Sequence, residues 1–181
     1  MSSRRLMTVP VKALGAGITV RYSPDIVHYG QDQRLLAEQP LLPSRPYMES
    51  WLTDAPPDTL RWQVSTRPSV SKLKKSTQRS ALQSYWYKSL CQALWEKGYN
   101  DKGQIAGTGG RGLVGTMEVT IFDGDGFGQP DEHLRTKCAA IVGEIERAAA
   151  RPQKGLDIRI SRPTSKKYVG RRAGKDYSAS V

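Results

Sequence analysis

From Leu60 onward the apolar residues change their spacing repeatedly, and that alternation restricts the available folds more than any other feature of the chain. Leu60, Trp62 and Val64 alternate with Arg61, Gln63 and Ser65, the two-residue period of a strand with one buried face. Across Ser76–Lys97 the stripe Leu82, Tyr85/Trp86, Leu90 and Ala93/Leu94 has helical spacing, and Gly98 follows as a C-cap. Met117, Val119 and Ile121 alternate again. Pro130, with Asp131 and Glu132 behind it, then opens a second helix carrying Leu134, Cys138, Ile141, Val142, Ile145 and Ala149. Leu156, Ile158 and Ile160 make a last alternating run, and Gln104–Gly107 is a weaker strand between the first helix and Met117. The resulting order, β-α-β-β-α-β, predicts an α+β, ferredoxin-like core with both helices on one face of an antiparallel sheet.

The expected organisation has three parts. Residues 1–59 form an N-terminal arm with short strands at Thr8–Val11 and Gly17–Tyr22. After these comes a Pro-rich extended stretch with one helical turn around Gln33–Glu38, since each proline discourages helix at and before itself. Residues 60–162 form the α/β core, and residues 163–181 form a basic tail. No run approaches the roughly 20 apolar residues of a membrane span, so membrane association is not expected. Two cysteines, both inside helical apolar stripes, read as buried free thiols of a reducing, intracellular compartment rather than as a disulfide framework. The first 24 residues are basic and acid-free, which suits either a mitochondrial transit segment, and hence the mitochondrial matrix, or a structured N-terminal arm of a cytoplasmic protein.

Charge supplies the functional argument. Twenty-eight Lys and Arg against 17 Asp and Glu leave +11, above the roughly 2–8 common for soluble domains, and the excess is clustered. Residues 101–150 are slightly acidic, whereas Arg61–Lys75 and Arg151–Lys175 concentrate the cations. Clustered Lys and Arg displace counterions from phosphates, the physical basis of nucleic-acid affinity. The expected contact set is Arg61, Arg67, Lys72, Lys74, Lys75, Arg111, Arg159, Arg162, Lys166, Lys167, Arg171, Arg172 and Lys175. Arg111 stands at the tip of the glycine-rich turn Gly107–Gly115. The opposite parity of the strands places Arg61, Gln63, Glu118, Thr120, Phe122 and Arg159 on an open sheet face, with too few aromatic rings there for bases to stack on.

Catalytic and metal signals are weak. Asp123-Gly124-Asp125 opens like a calcium loop, yet its fifth and twelfth positions are Phe127 and Leu134, which offer no oxygen ligand. No metal, cofactor or small-molecule substrate is expected. His28 and His133 are the only histidines and would be the bases of a metal-independent endoribonuclease. The expected function is therefore a non-enzymatic RNA-binding component of a large ribonucleoprotein, ribosomal or mitochondrial-ribosomal, with structured RNA and neighbouring proteins as partners. Two alternatives are the endoribonuclease and a phage or mobile-element structural protein associated with nucleic acid.

Overall fold

The computed structural model describes residues 5–39, 41, 43–56, 58–67, 72–105, 112–129 and 131–150. They form an α+β fold with a four-stranded mixed sheet and four helices: β1 (Met7–Val9), β2 (Ile18–Ser23), α1 (Gly30–Glu38), α2 (Arg45–Thr53), β3 (Leu60–Thr66), α3 (Ser76–Glu96), β4 (Gly115–Ile121) and α4 (Asp131–Ala150). The sheet order is β1-β2-β4-β3, antiparallel except where β3 and β4 run parallel. No helix among the described residues is long and apolar enough to cross a membrane.

This differs from the ferredoxin-like expectation in two ways. Gln104–Gly107 does not become a core strand; Ile105 makes only an isolated bridge with Tyr99, and residues 106–107 lie outside the described set. With that strand gone, α3 alone reverses the chain, so β4 returns parallel to β3 as its direct neighbour, as a helical crossover requires. The strand expected at Leu156–Ile160 also lies outside the described residues. The place beside β4 is filled instead by β2, from the segment expected to be an arm.

The reason lies in β2 itself. Ile18, Val20 and Tyr22 alternate inward and are at most 7% exposed, so excluding them would leave the core uncovered. They join Leu60, Val64, Met117, Val119 and Ile121 beneath Leu82, Trp86, Leu90 and Leu94 of α3 and Leu134, Cys138, Ile141 and Ile145 of α4. Both helices thus cover one face, as expected. At the start of β4, Gly115 has φ +116°, and a Cβ there would lie 2.1 Å from the Ser23 carbonyl oxygen, so only glycine admits this close strand approach.

The Pro-rich stretch is more helical than its prolines suggest. The turn expected at Gln33–Glu38 extends back to Gly30, supported by an Arg34–Glu38 ion pair at 2.7 Å. Pro46 sits in the first turn of α2, where a missing N–H is harmless. Neither helix buries a residue. The segment before α1, however, folds over the second face of the sheet: the Val27 amide donates to Thr116 Oγ1 at 2.9 Å, and Thr116 Oγ1 donates to the Asp25 and Val27 carbonyls. That face is therefore not open.

Candidate nucleic-acid interface

Among the described residues, the densest grouping of unpaired cations lies where β3 passes into α3. The Arg67 amide still donates to the Ile121 carbonyl at 2.7 Å, which carries the parallel pairing one residue past the strand. After residues 68–71, which lie outside the described set, the chain reads Lys72-Leu73-Lys74-Lys75. Leu73 is 5% exposed and belongs to the core, so it anchors the loop while the lysines on either side of it face solvent. Arg79 reaches back from the first turn of α3, and its Nη1 donates to the carbonyls of Leu73 at 2.9 Å and Lys74 at 3.1 Å. Gln78 accepts the Lys75 amide at 3.3 Å. The loop is thereby tied down at three points.

No acid stands in the first turn of α3, so the positive end of its dipole adds to the field of the cations. Among the described residues, Arg67, Lys72, Lys74, Lys75 and Arg79 form no ion pair with a carboxylate. Elsewhere among the described residues the pattern is mixed: Lys12, Lys88, Lys102 and Arg135 are likewise exposed and form no ion pair, but they are scattered along the chain. Arg34 pairs with Glu38, Arg45 with Glu49, Lys97 with Glu146 at 3.2 Å, Lys137 with Asp125, and Arg147 with Glu144 at 2.5 Å.

Arg61, expected in the same contact set, is placed elsewhere. It points from the other end of β3 onto the second sheet face, about 20 Å along the strand from Arg67 at roughly 3.3 Å per residue. Its guanidinium lies 4.9 Å from the Trp51 ring centroid and 5.4 Å from that of Tyr29. Arg111, Arg159, Arg162, Lys166, Lys167, Arg171, Arg172 and Lys175 lie outside the described residues.

At the centre of the second face is Glu118, 1% exposed, with which the sequence associated only an open surface. Strand register sets Arg21 on one side of it and Gln63 on the other. Arg21 Nη1 lies 3.8 Å from Glu118 Oε2, the Gly30 amide donates to that oxygen at 3.3 Å, and Gln63 Nε2 donates to Oε1 at 3.3 Å. A buried carboxylate with three partners of this kind locks the cover segment onto the sheet. Arg79 and this Arg21–Glu118–Gln63 row were not distinguished in the sequence. The parity of Gln63 and Glu118 was readable there, but their meeting with Arg21 depends on register.

The two histidines are separated and share no partner. His28 belongs to the cover segment; burial lowers its pKa from 6.5, Asp32 and Glu49 oppose that shift, and Arg61 reinforces it. His133, in the first turn of α4, has Nε2 3.4 Å from Asp125 Oδ1. Burial would raise the Asp125 pKa, but Lys137 and His133 outweigh it and hold the carboxyl below 3.8. A shallow opening of about 440 Å³ beside them is lined by Ala13, Glu132, His133, Thr136 and Lys137. No protein-family model, curated protein or solved structure matches the chain.

Proposed function

We propose that this chain is a non-enzymatic nucleic-acid-binding protein that grips an RNA phosphate backbone through the Arg67–Arg79 loop, as a component of a larger ribonucleoprotein. The observation that carries this reading is the clustering of exposed, unpaired cations in one short stretch. Among the described residues, Arg67, Lys72, Lys74 and Lys75 fall close together, face solvent and form no ion pair, while Arg34, Arg45, Lys97, Lys137 and Arg147 each neutralise an acid of their own fold. An exposed Lys or Arg already paired has little left to offer a phosphate, whereas an unpaired one releases a counterion on binding. The tethering of the Lys72–Lys75 segment by Leu73 and Arg79 supports the same reading, because a segment already held loses less conformational freedom on binding.

The test is the salt dependence of binding to a structured RNA. Replacing Lys72, Lys74 and Lys75 together by Gln removes three cations, and at roughly 0.7–0.9 counterions per contact the log–log slope falls by about two. Arg147→Gln, an exposed but paired arginine, leaves the slope as it is. A triple variant with the wild-type slope, or a wild-type chain that binds no RNA, refutes the reading.

One observation favours a second reading. His133 and Asp125 form a carboxylate–imidazole pair at the edge of an opening, the arrangement a metal-independent endoribonuclease would use as a general base. RNA cleavage that survives EDTA and disappears in His133→Ala would support it over the non-enzymatic reading. Intact RNA in the binding assay counts against it.

A further inference from the structure

Helix α2 is amphipathic in sequence but buries none of its residues. It carries Tyr47, 65% exposed, and Trp51, 52% exposed, one turn apart, with ring centroids 6.4 Å apart and planes inclined at 44°. Both rings are left more than half open to water. Beneath Trp51 lies the Arg61 guanidinium, 4.9 Å from its ring centroid. Arg61 Nη1 is buried and has no hydrogen-bond partner among the described residues. An unsatisfied guanidinium N–H is a costly feature in a native fold and leaves a donor free for an acceptor from outside.

We propose that Tyr47, Trp51 and Arg61 form a binding site for single-stranded nucleic acid, in which unpaired bases stack on the two rings and a phosphate oxygen accepts from Arg61 Nη1. The inference rests on the nucleic-acid reading and deepens it by naming the strand state and a second contact region. Exposed rings beside a cation offer the combination single strands use: π-faces for the bases and a positive group for the backbone. A duplex keeps its bases stacked and cannot present them to these rings.

Trp51 must shift for a phosphate oxygen to reach Nη1. Because α2 has no buried residue, its ring can move without opening the core. Arg61 and Arg67 stand at the two ends of β3, so a strand passing both spans about 20 Å, within the range of site sizes for single-strand binders.

The test compares a single-stranded 12-nucleotide RNA with the same sequence as a duplex, by fluorescence anisotropy on the full chain. Trp51→Ala weakens single-strand binding by about 5- to 150-fold, the range typical of one lost base-stacking platform, with the salt slope unchanged. Duplex binding stays at its wild-type value. Trp95→Ala removes a ring that is 63% exposed on α3, away from Arg61, and changes neither. Arg61→Gln weakens binding and lowers the slope by about 0.7.

If Trp51→Ala unfolds the helix, Tyr47→Ala replaces it, with the same expected loss. Single-strand binding within twofold of wild type in these α2 variants overturns the inference, as does an equal loss in Trp95→Ala. Binding that depends on Lys72, Lys74 and Lys75 but not on α2 refutes this site and leaves the proposed function standing. A wild-type chain that binds neither form refutes both.

Discussion

Substituting Glu118 by Gln tests whether the cover segment is held by charge or only by shape. Glutamine conserves volume and keeps one acceptor oxygen, so no cavity forms and any change in stability comes from the polar contacts. The carboxylate has three partners: the Gly30 amide at 3.3 Å, Gln63 Nε2 at 3.3 Å and Arg21 Nη1 at 3.8 Å. In the variant one of the first two faces an NH₂ group instead of an acceptor. Removing one acceptor of a buried charge-assisted bond costs about 1–3 kcal/mol. Arg21 adds less, because its side chain is 44% exposed and water re-solvates the guanidinium once the carboxylate is neutral. The expected total is about 2 kcal/mol, a fall in Tm of about 4–8 °C for a chain of this size.

Urea denaturation at pH 7 provides the assay, with an unchanged m-value showing that the unfolded reference is the same. A double-mutant cycle with Arg21→Ala separates the contributions, and the coupling expected for this pair is below about 1 kcal/mol. Glu118→Gln within about 0.5 kcal/mol of wild type would show that the cover is not held through this carboxylate. A coupling above about 2 kcal/mol would instead make Arg21 the dominant partner and refute the argument from its exposure.

Two further outcomes follow from titrating groups. Burial pushes the Cys138 thiol up to about 12, and Cys138 is fully buried, so alkylation at pH 8 modifies it only through unfolding, while half-buried Cys91 reacts faster; equal labelling rates by mass spectrometry would contradict the packing of α4. Asp125, held below 3.8 by Lys137 and His133, contributes stability that is present above that value and is lost as pH falls through its lower folded value. Asp125→Asn should therefore be less stable than wild type at pH 6, with the gap closing in acid-unfolding curves as pH falls through that lowered value; a gap independent of pH would assign the effect to packing instead.

Period and parity are properties of neighbouring residues, so the sequence by itself determined them. The stripes Leu82–Trp86–Leu90 and Leu134–Cys138–Ile141 could only be helices with one buried face, and Met117–Val119–Ile121 could only be a strand. The side of the sheet on which Gln63 and Glu118 lie followed from counting by two. The clustering of Lys72, Lys74 and Lys75 was likewise visible, because all three lie within four residues of sequence.

What required the tertiary structure was every pairing between distant segments. Whether Ile18, Val20 and Tyr22 form an arm or a central strand depends on the apolar edge that β4 leaves uncovered, a long-range packing demand that no local window contains. Pro46 forbids a helix only if it falls beyond the first turn, and where that turn begins is decided by the path of the chain into it. Arg61 and Lys72 look alike in sequence. One ends against Trp51 and the other in water because strand direction and cover, set by the whole fold, determine which cations meet aromatic rings and which are left for a partner.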